Sequence, residues 1–437
     1  MKLWETENTE TESIVEKYTS SRDVKLDQEL VYYDIYGNIA HANMLFEQGY
    51  ITEMELKKIN SSLLKLYDSK IEITAEDEDV HSKIESLVTE ETKVGEKIHT
   101  GRSRNDQILV DLRLYTKKNI IKTSTLILNL IDILVKKGED YRHLTIPGYT
   151  HMRQAMPMTA YLWLTSYAES LLDDLDLLMD SYRMNDQNPL GAAAGYGTSL
   201  NIDRERTTDL LDFSRTQNNP LYCINSRGKI EYEVISVLSQ LMLDLEKFSN
   251  DLILFSTHEF DFIDIPKDFC TGSSIMPQKT NPDVLEILKG RTAKVISNQH
   301  QIELVLKNSN LGYNREIQET KESLMESIEI TKNSVEILSK LIPRIKFNEE
   351  SIKKNMKEST FAGYTANKMV EKGIPFREAY RRVKENGDYE KIKKEGYVDY
   401  HFDKKELEQK KYTWEEKKKQ YSEMIKVLLS MAERNSI

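Results

Sequence analysis

One segment ahead of a long apolar pattern concentrates side chains that could bind an anion. Residues 98–107 read IHTGRSRNDQ and include Arg104 and Asn105, just before the pattern that begins at Ile108. Serine, threonine and asparagine at such a place can simply cap a helix. Arginines beside an amide and the free N–H groups of a helix start can equally hold a carboxylate. Both interpretations stay open on these residues alone.

A second segment places a histidine in a turn. Residues 147–157 read PGYTHMRQAMP, where two prolines bracket Thr150 and His151. A lone histidine is more often structural than catalytic. Its ordinary pKa of about 6.5 nonetheless makes it the natural proton carrier at neutral pH. We therefore treat His151 as a candidate for proton transfer.

A third segment combines serines with a lysine. Residues 271–287 begin TGSSIMPQKTNP and contain Ser273, Lys279 and Asn281 ahead of an apolar periodic pattern. An ordinary flexible loop would explain this composition. A lysine this close to paired serines can, however, stabilise a serine alkoxide or a substrate oxyanion, which suits the segment for catalysis.

Two other segments are set aside. GAAAGYG at 191–197 lacks the GxGxxG spacing and follows no strand pattern, so it is not interpreted as a dinucleotide loop. Asp79 and His81 lie two residues apart, but no further His or Cys follows at ligand spacing. We predict no metal site and no cofactor.

Charge and composition exclude several classes of protein. The net charge of −11 repels a phosphate backbone, which argues against a nucleic-acid partner or an anionic membrane surface. No apolar run of about 18 residues and no apolar leader occur, so we expect neither a membrane segment nor export. Cys223 and Cys270 stand alone, which favours a reducing compartment and a cytoplasmic protein.

Long proline-free tracts must position these segments. They cover roughly 104–146, 221–265 and 283–342. Two apolar seams with helical spacing lie within them, and a seam of this kind is buried against other helices. Their members are Val234, Leu238, Leu241, Leu245, Phe248, Leu252 and Phe255 in one, and Ile127, Leu130, Ile131 and Leu134 in the other.

Helix length predicts the shape of the molecule. A helix filling 40 residues of the last tract would be about 60 Å long, as long as a compact globule of this size is wide. We therefore expect an elongated, all-α helical bundle that oligomerises. Composition shifts suggest an N-terminal helical domain at 1–103, a central long-helix domain at 104–352 and a small C-terminal helical domain at 353–437.

Together these segments resemble the fumarase/aspartase superfamily, whose signature GSSxMPxKxN is matched at 272–281. Further segments resemble argininosuccinate lyases in particular: HTGRSRNDQ at 99–107, GYTH at 148–151, PLGAAAGYGTSLNIDRE at 189–205, YNREIQETKE at 313–322 and GIPFREAY at 373–380. The resemblance runs from about residue 18 to about residue 385.

The resemblance implies a nearly all-α, three-domain lyase whose central helices form a twenty-helix core in a homotetramer, with sites shared between subunits. It implies cofactor-free β-elimination of argininosuccinate to arginine and fumarate in arginine biosynthesis. Proton transfer would fall to His151 and Ser273, with Lys279 beside them, and which of the pair is the base stays open. Substrate contacts would be Arg104, Asn105, Thr150, Asn281, Tyr313, Gln318, Lys321, Ser20 (or Ser21), Asp27, Asp79 and Arg227.

Some features depart from the family pattern. HMRQAMP replaces the commoner HLQRAQP, Tyr380 stands where many members have His, and the lysine- and glutamate-rich tail at 383–437 shows little resemblance. Two rival functions are an adenylosuccinate lyase, which would need a phosphate pocket, and an inactive scaffold like the lens crystallins of this family. The complete set of site residues argues against the scaffold.

Overall fold

A computed structural model describes residues 13–74, 76–387, 389 and 400–436. The side chains of Ser20 and Ser21, in the first helix, are not among the described parts of the structure. The prediction that Ser20 or Ser21 contacts the substrate therefore lies outside the described residues. The helices are α1 (Ser13–Asp27), α2 (Val31–Glu47), α3 (Glu53–Tyr67), α4 (Val80–Glu91), α5 (Arg104–Asp140), α6 (Ala160–Asn185), α7 (Arg204–Leu210), α8 (Pro220–Asn225), α9 (Lys229–Phe255), α10 (Asp283–Leu306), α11 (Thr320–Leu341), α12 (Glu349–Asn355), α13 (Ala362–Glu371), α14 (Phe376–Asn386) and α15 (Lys404–Arg434). The strands are β1 (Thr145–Thr150), β2 (Arg153–Thr159), β3 (Ile263–Asp264), β4 (Thr271–Gly272), β5 (Thr280–Asn281) and β6 (Lys346–Phe347).

Five long helices, α5, α6, α9, α10 and α11, pack together as the body of the protein. Both predicted seams are buried: every seam residue of α9 is at most 4% exposed, and the four of α5 are fully buried. The prediction of an all-α, elongated bundle is confirmed, since α5 alone has 37 residues and is about 55 Å long. No helix in the described ranges is both long and apolar enough to cross a membrane.

The tract 283–342 does not form one long helix, so that expectation is wrong. It divides into α10 and α11, which pack against each other, and the chain turns between them. Gly312 lies in this turn with φ of 87°, a conformation that residues with a side chain rarely adopt. A glycine alone did not mark this break in the sequence, because Gly290 of the same tract lies within α10.

The segment 147–157 is more regular than a turn-rich loop. β1 and β2 form an antiparallel hairpin in which Thr145 pairs with Thr159 and Thr150 pairs with Arg153. His151 and Met152 form its tip with positive φ values of 51° and 56°. The hairpin follows the last turn of α5 and so lies at the end of that helix.

The C-terminal region contains two kinds of structure. α13 and α14 have a small apolar cluster of their own, built around Ala366, Ala379 and Val383. α15 instead belongs to the main core, because it packs on α5 and α3 and buries Trp414 and Leu428 there. The proposed domain boundaries stay predictions, but the last helix packs on the body.

Candidate active site

A cavity of about 160 Å³ opens at the end of the bundle where α5 and α11 begin, beside α1 and the start of α4. Its lining comes from five separate stretches of the chain. Eight predicted site residues line it: Asp27, Asp79, Arg104, Asn105, Arg227, Tyr313, Gln318 and Lys321. The segments that looked unrelated in sequence therefore contribute to one site.

The start of α5 serves both as a helix cap and as one wall of the cavity. Ser103 is the N-cap, with its side chain accepting from the Asn105 N–H, and Asp106 completes a capping box by accepting from the Ser103 N–H at 2.7 Å. Arg104 and Asn105, the first two residues of the helix, face the cavity. The motif therefore caps a helix through Ser103 and Asp106, and it contributes Arg104 and Asn105 to the cavity wall.

Arg104 is held by acidic groups at the start of α4. Its Nη1 donates to Asp79 Oδ2 at 2.8 Å and lies 3.1 Å from Glu78 Oε2. Asp79 is itself the N-cap of α4, because Oδ1 accepts from the Ser82 N–H at 2.8 Å. Burial acts to raise the pKa of Asp79, but His81, Arg104 and the Ser82 N–H lower it overall. The carboxylate therefore stays charged and fixes the guanidinium.

Lys321 forms a buried ion cluster with two carboxylates of α1. Its Nζ donates to Asp27 and lies 2.6 Å from Asp23 Oδ1, and the Lys321 and Asp27 side chains are each only 1% exposed. The second oxygen of Asp27 accepts from the Val80 N–H at 3.0 Å. Burial raises the pKa of Asp27 despite the lowering effect of Lys321. This cluster ties α1, α4 and α11 together at the cavity floor.

The remaining wall combines a cation with an aromatic ring. The Arg227 guanidinium lies 5.7 Å from the centre of the Tyr313 ring. Gly228 follows with φ of 82°, and a Cβ there would lie 2.6 Å from Leu306, so only glycine fits this turn into α9. Gln318 donates to the Thr19 carbonyl at 3.1 Å, which connects the turn before α11 to α1.

The predicted proton carriers lie elsewhere in the chain. Thr150 ends β1 and His151 forms the exposed tip of the hairpin. Neither residue lines the cavity in this single chain. The hairpin packs near the last turn of α9, where the Tyr149 ring lies 6.5 Å from that of Phe255.

Ser273 lies in the loop between β4 and β5. Its Oγ accepts from the Met276 N–H at 3.0 Å and from the Ile275 N–H at 3.3 Å. Lys279 is exposed in the same loop, and its carbonyl accepts from the Ser273 N–H at 3.3 Å. Asn281 closes the loop by pairing with Thr271 across the two short strands. These residues too lie away from the cavity of their own chain.

Helix length separates the two groups. Arg104 begins α5, whose 37 residues extend about 55 Å before the chain reaches the hairpin. The eleven residues from Tyr141 to His151 could span at most about 40 Å even if fully extended, so His151 cannot return to its own cavity. Arg227 precedes α9 and Ser273 follows it, and this helix is about 40 Å long; of the two residues, only Arg227 lines the cavity.

Comparison with known proteins identifies the family. A family model described as a lyase matches residues 7–297. An argininosuccinate lyase of Thermotoga neapolitana is 42% identical over 89% of this chain and 99% of its own length. One of Parabacteroides distasonis is 38% identical over 87% of this chain and 86% of its own. The chain belongs to the argininosuccinate lyase family.

Solved structures show the same fold at lower identity. EDDS lyase in complex with formate has a TM-score of 0.78 and 20% identity, covering 98% of this chain and 96% of that one. The class II fumarase of Schistosoma mansoni has a TM-score of 0.70 and 18% identity, covering 82% of this chain and 87% of that one. The fumarase-like fold predicted for this argininosuccinate lyase family member is therefore confirmed.

The cavity of this family member contains one residue that sequence reasoning set aside. His81 lines it and is hydrogen-bonded through Nδ1 to Asp34 at 2.7 Å, with Asp111 Oδ2 at 3.6 Å. The three side chains are buried, and one imidazole nitrogen of His81 and one carboxylate oxygen of each aspartate lie within 4.8 Å of one another. The partners of His81 come from α2 and α5, so spacing around Asp79 could not reveal them.

Residues 191–197, whose spacing does not match a dinucleotide loop, have a structural role at the site that the sequence does not indicate. Asp106 Oδ2 accepts from the N–H groups of Gly191 at 2.8 Å and Ala193 at 2.9 Å. Burial raises the pKa of Asp106 to about 6, although these N–H groups act against the rise. The segment is a support that fixes the start of α5, behind the cavity.

Proposed function

We propose that this protein is an argininosuccinate lyase of arginine biosynthesis that works as a homotetramer with sites shared between subunits. It splits argininosuccinate into arginine and fumarate by β-elimination. The observation that carries the reaction is the close similarity to argininosuccinate lyases over almost the whole chain. The shared site follows from the separation between the cavity and the proton carriers of one chain.

The cavity supplies the binding half of the site. The substrate has carboxylates, a guanidinium and an ammonium group, so it needs both cationic and anionic partners. Arg104, Arg227 and Lys321 provide cations, while Asp27 and Asp79 provide carboxylates at the same cavity. Removing a proton next to a carboxylate creates an aci-carboxylate dianion, which preorganised cations and amide groups stabilise.

The serine loop supplies the base. A serine hydroxyl is too weak a base unless its alkoxide is stabilised. The N–H groups of Ile275 and Met276 already donate to Ser273 Oγ, as an alkoxide would require, and Lys279 adds a positive charge in the same loop. Ser273 takes the proton from the succinyl carbon, and His151 protonates the departing guanidino nitrogen.

A second copy brings the two halves together. When two bundles pack side by side in opposite directions, the hairpin end of one lies beside the cavity end of the other. Large apolar side chains are exposed on the α9 and α10 surface, among them Leu243, Ile287, Ile296 and Leu304, and self-association would cover them. Five long helices from each of four chains would give the twenty-helix core.

Base, acid and anion-stabilising groups are sufficient for this elimination, so the proposed reaction uses neither a metal nor an organic cofactor. We place the protein in the cytoplasm. Cys223 and Cys270 are unpaired, and Cys223 is buried, which suits a reducing compartment.

The reaction is tested by incubating the purified protein with argininosuccinate and following fumarate by its ultraviolet absorbance. Adenylosuccinate serves as the parallel substrate. Fumarate from argininosuccinate alone is the expected result. Turnover of adenylosuccinate instead would assign the other lyase activity, and no turnover of either by a folded tetramer would indicate an inactive scaffold.

The shared site is tested by complementation. Arg104→Gln removes a cavity residue and His151→Asn removes a proton carrier, so each variant alone should be nearly inactive. In mixed oligomers, some sites combine the intact Arg104 of a His151→Asn chain with the intact His151 of an Arg104→Gln chain. These sites should have measurable turnover. Differently tagged chains purified together prove mixing, and inactive mixed oligomers would contradict shared sites.

A further inference from the structure

The His81 side chain is clamped on one edge and free to serve a ligand on the other. Nδ1 is taken by Asp34 at 2.7 Å, with Asp111 close behind at 3.6 Å. Nε2, on the opposite edge of the ring, is buried without a hydrogen-bond partner among the described residues, although His81 lines the cavity. A buried donor without a partner is costly, and a ligand acceptor would satisfy it.

The surrounding charges favour the imidazolium form. Burial alone would lower the pKa of His81, but Asp34, Asp111 and Asp79 raise it to about 9. Asp27 of α1 adds a further negative charge nearby, whereas Arg102, Arg104 and Lys321 supply the opposing positive ones. His99 also lies nearby, and the positive charge of His81 contributes to lowering the pKa of His99.

The charge of His81 decides the sign of the cavity lining. Apart from His81, four carboxylates and four lysine or arginine side chains line the cavity, so their charges cancel. An imidazolium makes the lining positive. Argininosuccinate carries one more negative than positive charge, and fumarate carries only negative charge, so a positive lining matches both.

We propose that His81 is a further ligand-binding residue: its imidazolium, clamped by Asp34 and Asp111, donates from Nε2 to a carboxylate of the substrate. This inference rests on the proposed lyase function, because that function supplies the carboxylate ligand. Asp34 and Asp111 are positioning residues that act through His81. Neither oxygen of Asp111 has a hydrogen-bond partner in the described part of the chain. Burial and Asp34 raise the pKa of Asp111 well above its ordinary value, and the positive charges of His81 and Arg102 oppose that rise, so an imidazolium at His81 favours the ionised form of this buried carboxyl group.

The test measures binding without turnover. Succinate and arginine, each unreactive alone, are titrated by calorimetry into the parent tetramer and into His81→Gln, which retains a neutral donor. Loss of the charge should weaken one ligand by about tenfold. Weaker succinate binding would assign the carboxylate to the succinyl half, and weaker arginine binding would assign it to the amino-acid end. Unaltered binding of both would overturn the proposal.

The pH dependence tests the clamp. In the parent, affinity for the carboxylate ligand should fall as pH rises through the His81 pKa of about 9. Asp111→Asn removes one counter-charge, so the same fall should occur at lower pH, an effect that a merely structural role would not produce. Asp132→Asn, an exposed change on the same helix, is the matched control. An unshifted profile would overturn the clamp.

Two further measurements separate the possible failures. Circular dichroism melting shows whether each variant is folded before it is titrated. If the parent protein releases fumarate from argininosuccinate but His81→Gln binds the ligands as tightly as the parent does, only the inference about His81 is overturned. Parent protein that neither binds these ligands nor releases fumarate would overturn the proposed function and this inference with it.

Discussion

The two ends of the helical bundle are built differently. At the cavity end, Lys321, Asp27 and His81 are almost completely buried and joined by ion pairs that connect separate helices. At the hairpin end, His151 and Lys279 are exposed on a tip and a loop. The proposed binding groups are therefore prearranged within one chain, while the proposed proton carriers are exposed, where a second chain would contact them.

The largest expected effect comes from the outward end. Ser273→Ala removes the proposed base and should lower turnover by at least about a thousandfold, while arginine binding at the cavity stays within about twofold. Steady-state kinetics and calorimetry measure the two quantities. Retention of most turnover by Ser273→Ala, together with its loss in His151→Asn, would reverse the assignment of the base.

The next effect compares one substitution at both ends. Lys321→Met leaves buried Asp27 without its cation and should lower the free energy of unfolding by about 3 kcal/mol. Lys279→Met, at an exposed position, should leave the melting temperature almost unchanged and reduce turnover instead. Equal losses of stability in both variants would contradict the difference between the ends.

The third effect is pH dependence at the cavity end. The folded-state pKa of His81 is raised to about 9, so its ion pair stabilises the fold fully below about pH 6.5 and is lost as pH rises through 9. A rise of this size corresponds to about 3 kcal/mol below pH 6.5, and the contribution becomes smaller as the pH rises toward 9. Melting of the parent and of His81→Gln should therefore differ at pH 6.5 and converge above pH 9; a constant difference would refute an ion pair.

The smallest effect concerns strain at the hairpin tip. Met152 is exposed with φ of 56°, a conformation that asparagine tolerates better. Met152→Asn should raise the free energy of unfolding by about 0.5 kcal/mol. Met54→Asn, at an equally exposed position in the first turn of α3, should instead lower it slightly, because asparagine has a lower helix propensity than methionine. Thermal melting distinguishes the two signs.

Local patterns were enough to predict the bundle. The α9 seam from Val234 to Phe255 follows from apolar spacing alone, and every seam member is buried. The family resemblance also predicted eight of the cavity residues, and each of them lies in or near the end of a helix at the cavity end of the bundle. Spacing along the chain carried no information about which ends meet, so the split into two groups became visible only in three dimensions.

The C-terminal tail shows what was overlooked. Its charged residues near 415 are typical of a solvated helix face, and many of them are exposed on α15. The opposite face carries apolar residues seven apart, Leu407, Trp414, Tyr421 and Leu428, all buried. The seven-residue repeat predicts a buried helix face, but the sequence does not show which helices cover it. Contacts such as the hydrogen bond from the Tyr421 hydroxyl to the Leu114 carbonyl join residues 307 apart.

His81 illustrates the same limit within the site. Asp34 lies 47 residues before it and belongs to another helix. No ligand-like spacing marks such a pair, so the sequence showed only an isolated histidine after Asp79. The chemistry of this side chain depends on tertiary packing.

The uninterrupted length of α5 makes the helix a ruler. In the proposed shared site, two subunits lie antiparallel, so that the hairpin of one contacts the cavity of the other. The distance from Arg104 to the hairpin must therefore be the same in both subunits. Adding or deleting one turn would shift one half of every site by about 5.4 Å, too far for proton transfer. Insertions and deletions within α5 must therefore be matched throughout the assembly.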